Sequence, residues 1–411
     1  MATVSLHRAE RPSPDERGSS TAALVEHPTT RSTPFAPHDG LRDLLPHRPL
    51  TRMYHPGDAP GWLVTGYALV REVLTDQRFS ARIDLLRGPA DQQPQDATAA
   101  PGLFSVMGPP EHTWYRRKLV SAFTLRRVRE MEPLVERAVT ERLDVMESAG
   151  GPVDLVESFA SPIAFHVIRD LLGMPLERSS VRATTEALLR LDADPEEAGQ
   201  AWERLLAELR EHVRAKHTTP GTDLTSALVA DGELSDEEIA TMSAMLITGG
   251  DDTTANMLAL GTYALLAHPA ELAWLCENPS AIGTAVEELL RYLTINQFGT
   301  TRTALEDVEL HGQTIRRGEL VTLSLSTANR DPEQFPEPDR LDLGRSGAGH
   351  LAFGHGIHHC LGAQLARVEL RAGFSGLLER FPGLRLAVAP ERVPLRSAAV
   401  NYGVHSLLVD W

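Results

Sequence analysis

The chain has little cysteine and no long apolar run. Its 411 residues contain two cysteines, Cys276 and Cys360. Two are too few for a disulfide framework or a four-cysteine metal site, so a cytoplasmic location is expected. The most apolar long segment, residues 242–266, is interrupted by Asp251 and Asp252. Because a membrane span needs roughly 20 uninterrupted apolar residues, and because the N-terminus lacks the apolar centre of a secretory signal, we expect no membrane association.

Positive charge is also in short supply. Lys and Arg number 40 against 56 Asp and Glu, which gives a formal net charge of −16. Binding to nucleic acid or to an anionic membrane surface requires a cationic protein surface, so neither is expected as a partner. The hydrophobic fraction of 42% is that of a globular protein.

Helical periodicity dominates the chain. Residues 1–34 are rich in Pro, Ser and charge and predict a mobile arm, whereas no linker or repeat divides residues 35–411, which predict a single domain. Seven longer segments have the apolar spacing of helices, namely residues 111–122, 128–147, 154–172, 180–191, 196–216, 235–268 and 280–292. Short alternating pieces predict small sheets, namely residues 62–64, 308–310, 313–315, 320–325, 384–388 and 404–409. The expected fold class is therefore mainly α.

One predicted helix is unusually long and has a polar interruption. Ser235 and Glu238 have the spacing of a capping box, and the apolar pattern continues to about residue 268. In its middle, residues 248–254 read TGGDDTT, and helical conformation there costs about 4–6 kcal/mol relative to alanine. The Thr253 hydroxyl can bond the carbonyl of Gly249 and open the helix. Two interpretations remain: a functional polar notch, or a kinked core helix whose aspartates face water.

The segment around Cys360 presents a single cysteine in a glycine-rich loop. Residues 350–362 read HLAFGHGIHHCLG, and a helix is predicted over residues 363–378. Glycines at alternate positions permit a tight, bulged hairpin, and the amides of the helix N-terminus favour thiolate over thiol. With Phe353 shielding it, this sulfur suits a metal ligand. A zinc site lacks its four ligands, and nothing marks the base and oxyanion hole of a cysteine protease. Cys276 is interpreted as an inert core residue.

Together with four other motifs, this loop resembles the cytochrome P450 family. Residues 353–362 match the haem-binding signature F-x-x-G-x-x-x-C-x-G at Phe353, Gly356, Cys360 and Gly362. The other motifs follow the family's order along the chain and are His112-x-x-x-Arg116, residues 249–254, Glu288-x-x-Arg291 and residues 328–332. The resemblance covers roughly residues 60–411. One departure is Gly108 before the proline pair, where the family's soluble bacterial branch often has Asp.

The resemblance implies a single large α-rich domain with small β-sheets and a long central helix over a haem. Cys360 would be the thiolate ligand of the iron of haem b. The rest of the cofactor site would consist of Phe353, Gly354 and Gly362 in the loop, with His112, Arg116, Arg302 and His358 as partners of the haem propionates. Glu288 and Arg291 would pair and have a structural role below the haem.

The resemblance further implies a monooxygenase that uses dioxygen and two electrons. Thr253 would hold dioxygen and an ordered water, and Asp252 would relay protons. Because the chain has no flavin or iron–sulfur segment, electrons from NAD(P)H would arrive through ferredoxin reductase and ferredoxin. Five arginines would attract an acidic ferredoxin, namely Arg116, Arg117, Arg126, Arg127 and Arg367. A monomer is expected.

The expected substrate is a hydrophobic small molecule, such as a polyketide or another secondary metabolite, that is hydroxylated, epoxidised or closed into a ring. Its predicted contacts are Met245, Gly249, Asn296, Phe298 and Val400. Three alternatives remain. The chain could be a haem-thiolate enzyme that performs peroxide-driven or oxidative coupling chemistry, a haem-based ligand binder without turnover, or a helical scaffold without haem.

Overall fold

Helices make up most of the molecule. The computed structural model describes residues 25–26, 31–55, 59–85, 99–347 and 349–411. Within these residues there are thirteen α-helices, which are Asp39–Leu44 (α1), Tyr67–Thr75 (α2), Glu111–Val120 (α3), Leu125–Ala149 (α4), Ser161–Leu172 (α5), Arg178–Leu189 (α6), Pro195–Lys216 (α7), Leu224–Asp231 (α8), Asp236–Ala267 (α9), Pro269–Glu277 (α10), Ile282–Leu293 (α11), Leu325–Ala328 (α12) and Ala363–Arg380 (α13). The predicted mainly α fold is confirmed.

Short strands form three small sheets in the described residues. The strands are Val25–Glu26 (β1), Leu50–His55 (β2), Ala59–Val64 (β3), Phe79–Ser80 (β4), Val153–Asp154 (β5), Thr300–Ala304 (β6), Val308–Leu310 (β7), Gln313–Ile315 (β8), Leu320–Leu323 (β9), Arg385–Leu386 (β10) and Leu408–Asp410 (β11). The largest sheet has the order β1-β2-β3-β9-β6-β4, and the others are β10-β11-β5 and β7-β8. These sheets lie beside the helical core and support loops that reach the candidate site.

The central element of the core is α9. Its predicted capping box is present, since the Ser235 hydroxyl accepts from the Glu238 amide and the Glu238 carboxylate accepts from the Ser235 amide. The helix has 32 residues and is buried along almost all of its length, because α5, α7 and α13 pack around it. Its contact with α13 requires glycine: a Cβ added at Gly261 would lie 2.5 Å from the Phe374 ring. The core therefore fixes α9 closely against α13.

A second apolar cluster lies between α2, α12 and the large sheet, and it supports the segment that precedes Cys360. The Tyr67 hydroxyl donates to the carbonyl of Gly349 at 2.6 Å, and the Tyr67 amide donates to Asp331 at 2.9 Å. The Asn329 side chain accepts from the Leu351 amide at 2.7 Å. The predicted ANRDP motif, residues 328–332, thus anchors the start of the cysteine loop.

The sequence located most long helices to within a few residues, but four shorter ones, α1, α8, α10 and α12, were not predicted. Of the predicted strands at residues 384–388 and 404–409, the structure forms only the short β10 and β11. Most of the predicted arm, residues 1–34, lies outside the described residues. At the end of the arm, the Arg31 guanidinium stacks on Tyr402 at 4.0 Å. The domain boundary at residue 34 stays a prediction.

Among the described helices, none combines the length and the apolar character needed to cross a membrane.

Candidate active site

The loop before α13 holds Cys360 without forming the predicted hairpin. Its two arms are not strands; a single backbone bond from the Cys360 amide to the Phe353 carbonyl, 2.9 Å long, closes the loop. Gly354 and Gly356 both have φ of 70°, a conformation that favours glycine. At Gly356 there is also no room for a side chain, because an added Cβ would collide with the Leu74 carbonyl. The glycine spacing predicted a tight turn, and that part is confirmed.

The Cys360 side chain is accessible to solvent although protein atoms surround it on most sides. Burial raises the pKa of its thiol above the ordinary value, while the amides of Gly362 and Ala363 and the guanidinium of Arg116 act in the opposite direction. The predicted amide donors are therefore present, but their effect on the pKa of the thiol is smaller than that of burial. A cation bound to the sulfur would lower the pKa of the thiol and favour the thiolate form, as expected for a metal ligand.

Phe353 is held in place beside the cysteine by a charged chain of contacts. The Arg367 guanidinium lies 4.6 Å from the centre of the Phe353 ring. Arg367 in turn donates to both carboxylate oxygens of Glu287, at 2.6 and 2.9 Å. Burial opposes ionisation of Glu287, but hydrogen bonds from His350 and Arg367 lower its pKa to about 2. Glu287 on α11 therefore helps to fix the position of the Phe353 ring through Arg367.

A cluster of donors without a described anionic partner lies next to the cysteine loop. Both ring nitrogens of His112 are buried without a hydrogen-bond partner among the described residues, and the ring lies 4.1 Å from that of His358. Arg302 is buried, and its guanidinium donates to two neutral oxygens, of Thr300 and Thr301, each at 2.9 Å. Burial, followed by nearby positive charge, lowers the pKa of His112 to about 4 and that of His358 to about 3.

These residues fit a haem. Its propionates are anionic acceptors, which is the partner that the buried Arg302 and the unpaired His112 lack. Its iron is the cation that Cys360 requires. Arg116 also lies at this site, where its guanidinium donates to the carbonyl of His359 at 2.6 Å. Glycine at 362 starts α13 without a side chain of its own, and an added Cβ there would meet open space, as expected where a flat ligand lies.

On α9, the polar notch presents an alcohol and an acid. The Thr253 hydroxyl donates to the Gly249 carbonyl at 2.7 Å, as predicted, but α9 remains continuous there. The carboxylate of Asp252 accepts from Arg396 at 2.7 Å and from Asn401 at 2.9 Å. Because Arg396 and Asn401 are far away in sequence, no local pattern could have identified them. Asp252 is thus an ion-paired acid beside an alcohol whose own proton is engaged.

Two residues, Asp251 and Cys276, lie in surroundings that differ from those predicted. Asp251 does not face water: it is 5% exposed, and burial together with the charge of Asp252 raises its pKa to about 7. Its side of α9 packs on other helices, which the TGGDDTT pattern cannot reveal. Cys276 is exposed and not a core residue, since α10 buries only Leu275 in this turn.

Glu288 and Arg291 form a completely buried pair on α11. Both side chains are 0% exposed, and Arg291 donates to the two Glu288 oxygens at 2.7 and 2.8 Å. Arg291 also donates to the carbonyls of Asn329 and Pro338, at 2.8 and 2.9 Å. The pair therefore connects α11 to the segment that leads into the cysteine loop.

Two of the segments predicted to contact the substrate are joined in the structure, and the contacts themselves stay a prediction. The backbone amide of Gln297 donates to the Val400 carbonyl at 3.3 Å, which joins the segment of Asn296 to that of Val400. Asn296 has a buried Oδ1 atom without a described partner. Met245 and Gly249 are accessible on α9, one turn apart. Phe298 differs, because its ring lies 5.5 Å from that of His38, towards the N-terminal segment.

The five arginines predicted to attract an acidic ferredoxin are not equally free to bind one, because some already pair with carboxylates of this chain. Arg367 is engaged by Glu287, and Arg126 and Arg127 share Glu130 at 3.1 and 3.0 Å. Arg117 is exposed, with no ion pair found in the part of the chain that the structure describes. Three exposed apolar residues lie at the end of α3, at the start of α4 and in the cysteine loop, namely Val120, Leu125 and Ile357.

Known proteins resemble this chain over almost its whole length. The family model described as Cytochrome P450 matches residues 282–397. Cytochrome P450 105C1 from Streptomyces sp is 43% identical over 392 residues, which cover 95% of this chain and 99% of that protein. Nocardicin C N-oxygenase from Nocardia uniformis subsp. tsuyamanensis is 42% identical over 397 residues, covering 93% and 99%. The crystal structure of CYP105P1 in complex with filipin I matches with a TM-score of 0.88 at 43% identity, over 95% of this chain and 99% of that chain.

Proposed function

The chain belongs to the cytochrome P450 family and is a haem-dependent monooxygenase, and on this premise we propose that it oxidises a hydrophobic secondary metabolite with electrons from a ferredoxin. The observation that carries the proposal is the set of side chains around the cysteine loop and on α9. The loop of Cys360 adjoins His112, which lacks a partner among the described residues, and the guanidinium of Arg116. Helix α9 presents Thr253 next to the ion-paired Asp252.

The chain's own residues would hold the haem from three sides. Cys360 would ligate the iron, Arg302 and His112 would bind the propionates, and Phe353 would keep water from the sulfur. When bound, the haem supplies the activation of dioxygen and its insertion into the substrate. The neutral imidazoles of His112 and His358 can still donate hydrogen bonds, so the low pKa of each ring does not prevent propionate binding.

Thr253 and Asp252 would deliver protons to the distal side of the cavity. The Thr253 hydroxyl proton is held by the Gly249 carbonyl, which leaves the hydroxyl oxygen free to accept a hydrogen bond from water. Both oxygens of Asp252 accept hydrogen bonds, from Arg396 and Asn401. Asp252 would therefore take up and pass on a proton only after one of these two side chains releases its oxygen. This ion pair would therefore limit proton entry from the protein surface.

The proposed substrate is larger and more apolar than a metabolite of central metabolism. Met245 and Val400 offer apolar contacts, and the amide of Asn296 offers one polar anchor. The relatives support this class, since one is a Nocardicin C N-oxygenase and another was crystallised with filipin I. Hydroxylation, epoxidation and ring formation all remain within the proposal.

The proposed electron donor is an acidic ferredoxin that binds near the cysteine loop. The Arg116 bond to the His359 carbonyl brings α3 against this loop, and Arg117 is the next residue on α3. The exposed Val120 and Ile357 would supply an apolar centre for docking. A cationic, partly apolar surface on an otherwise acidic protein suits an acidic partner. NAD(P)H would reduce the ferredoxin through its reductase.

Reconstitution with a bacterial ferredoxin, its reductase and NADH tests the proposal. With a panel of polyketides and other apolar metabolites, and with isotopically labelled dioxygen, we expect a product that carries one labelled oxygen atom. In Thr253→Ala, NADH consumption should continue while product per NADH falls by at least about tenfold. The variant loses the hydroxyl oxygen that would position the proton-donating water, and positioned proton transfer contributes on the order of 10²–10⁴ in rate. Thr253→Ser, which keeps the hydroxyl, is the matched control.

The outcomes separate the alternatives. Undiminished product per NADH in Thr253→Ala would contradict the proton-delivery role. Product formed from hydrogen peroxide alone, with none from the ferredoxin chain, would favour a peroxide-driven enzyme. Ligand-induced spectral changes without oxygen consumption would instead identify a binder without turnover.

A further inference from the structure

Glu287 on α11 contacts both of the segments that flank Cys360. Before Cys360, the Nε2 atom of His350 lies 3.2 Å from a carboxylate oxygen of Glu287. After Cys360, Arg367 on α13 donates to both carboxylate oxygens, at 2.6 and 2.9 Å. One carboxylate therefore connects the segment that enters the cysteine loop to the helix that leaves it.

The segment before Cys360 packs directly on residue 287. A Cβ added at Gly347 would lie 2.9 Å from the carbonyl carbon of Glu287 and 3.0 Å from its Cβ atom, so no side chain fits there. The Ala352 amide donates to the Nδ1 atom of His350 at 3.2 Å. Because an accepting ring nitrogen carries no hydrogen, the ring hydrogen of His350 is on Nε2 and is donated to Glu287. His350 therefore binds Glu287 as a neutral donor, whereas Arg367 brings a positive charge.

The charge of Arg367 lies close to the cysteine loop. Its guanidinium donates to the carbonyl of Ala363 at 3.3 Å and lies 4.6 Å from the centre of the Phe353 ring. Ala363 is the first residue of α13 and comes three residues after Cys360, and the Cys360 amide donates to the Phe353 carbonyl at 2.9 Å. The guanidinium is therefore folded back along α13 towards the residue that bears the sulfur.

We propose that Glu287 is a positioning residue for the cysteine ligand, and that its charge, by cancelling the charge of Arg367 next to Cys360, sets the reduction potential of the bound haem. This inference rests on the proposed role of Cys360 as the ligand of the iron. When the ferredoxin supplies an electron, the iron and its thiolate gain one negative charge. A nearby cation stabilises that charge and raises the potential, whereas a nearby anion lowers the potential.

The surroundings of the pair preserve both charges. The side chains of Arg367 and Glu287 are 18% and 26% exposed, so water and salt screen these charges less than they screen a surface pair. Burial opposes ionisation of Glu287, but hydrogen bonds from its two partners lower its pKa to about 2, so it is charged at neutral pH. The adjacent Glu288 is engaged by Arg291 and Arg345. Loss of the Glu287 charge would therefore leave Arg367 without an anionic partner within the described residues.

Potentiometric titration of the haem-loaded enzyme tests the proposal. Glu287→Gln removes the negative charge at nearly constant size, so the midpoint potential should rise. At a fixed solution potential, the ratio of reduced to oxidised haem should increase on the order of tenfold, which corresponds to about 59 mV for one electron. Arg367→Gln leaves the carboxylate without its cation, so the potential should fall. The double variant lacks both charges and should return towards the wild-type potential.

The signs of these shifts separate a charge effect from a loss of structure. If both single variants only loosened the cysteine loop, their potentials would shift in the same direction, and that result would overturn the proposal. The matched control is Glu379→Gln, at an exposed position about 24 Å along α13 from its first residue. It changes the net charge as Glu287→Gln does and should keep the wild-type potential. Equal shifts in these two variants, or no shift in Glu287→Gln, would also contradict the proposal.

The absorption spectrum of the reduced protein under carbon monoxide distinguishes failure of this inference from failure of the proposed ligand. The wild type should show the Soret band of a thiolate-ligated haem, and absence of that band would contradict Cys360 as the ligand. If the band is present but the potentials of Glu287→Gln and Arg367→Gln do not shift in opposite directions, only the role of Glu287 is wrong. If Glu287→Gln loses the band, Arg367→Gln still decides, because its potential must lie below that of the wild type.

Discussion

Arg302 lies inside the protein, and the described residues offer it no anionic partner. Within them its guanidinium donates to a hydroxyl and a carbonyl of neighbouring residues, and burial lowers its pKa to about 10, which still leaves it charged at neutral pH. A buried, unpaired cation destabilises a fold unless a ligand supplies the counter-charge. This residue therefore gives the strongest electrostatic indication of where the propionates of the haem bind.

Replacing Arg302 by Gln should weaken haem binding while leaving the fold intact. A hydrogen bond to a charged group contributes about 1.5–3 kcal/mol, so we expect haem to leave Arg302→Gln on the order of 10–100 times faster. Transfer of the haem to an excess of apo-myoglobin measures this rate. Arg317→Gln, at an exposed turn outside the cavity, should lose haem at the wild-type rate. Equal rates in both variants would mean that Arg302 does not hold the cofactor.

Single residues differed in how well the sequence predicted their surroundings. The bond from Thr253 to Gly249 was predictable because it joins two positions one helical turn apart. The partners of Asp252 were not, since Arg396 and Asn401 come from the other end of the chain. Asp251 was assigned to water because its neighbours in sequence do not show which side of α9 meets α13. Local spacing defines contacts within a helix and does not define contacts between helices.

Among the elements, α11 depends on one buried ion pair. Arg291 uses its whole guanidinium, with two bonds to Glu288 and further bonds to backbone carbonyls in the segment that leads to the cysteine loop. Glu288 is also bonded by Arg345 at 3.2 Å. A planar group with five donors fits this position, and a lysine ammonium cannot reproduce it.

Arg291→Lys should therefore destabilise the enzyme although the charge is kept. We expect the free energy of unfolding to fall by on the order of 3 kcal/mol, because several hydrogen bonds of about 1 kcal/mol or more are lost. Denaturant unfolding of the haem-loaded protein measures the change. The control is Arg126→Lys at the exposed pair with Glu130, which should change stability by no more than about 1 kcal/mol. Similar losses in both variants would contradict a special role for the buried pair.

The elements that were predicted well have strong end signals or long patterns. The capping box at Ser235 placed the start of α9, and the long amphipathic pattern found α4 and α7. The helices that were missed are short and lack such features, as α8 and α10 show. Helix α8 has eight residues, fewer than a periodicity window needs, and α10 buries only Leu275, so it has no apolar face to detect. The loop of Cys360 was predicted as a tight, bulged hairpin from its glycines, and the structure forms the tight turn without strands while Gly356 packs on Leu74 of α2.

At the scale of the whole molecule, charge is distributed unevenly. The formal net charge is −16, yet α3 presents Arg117 to solvent beside the cysteine loop. The sequence predicted five arginines for this surface, and the structure reduces the unpaired set, because Arg126, Arg127 and Arg367 all have carboxylate partners. Composition gives the total charge, but only the fold shows which side chains are already neutralised.

Arg117→Glu should slow electron delivery without affecting the haem site. An acidic ferredoxin would meet a repulsive charge in place of an attractive one, so the second-order rate constant of its reduction of the enzyme should fall about tenfold at low ionic strength. The difference should shrink as salt shortens the Debye length to about 8 Å. Stopped-flow measurement of haem reduction over a salt series gives both values. Arg204→Glu, exposed on α7, changes the net charge equally and should keep the wild-type rate constant. If Arg204→Glu slows reduction as much as Arg117→Glu does, the effect comes from total charge, and the docking surface lies elsewhere.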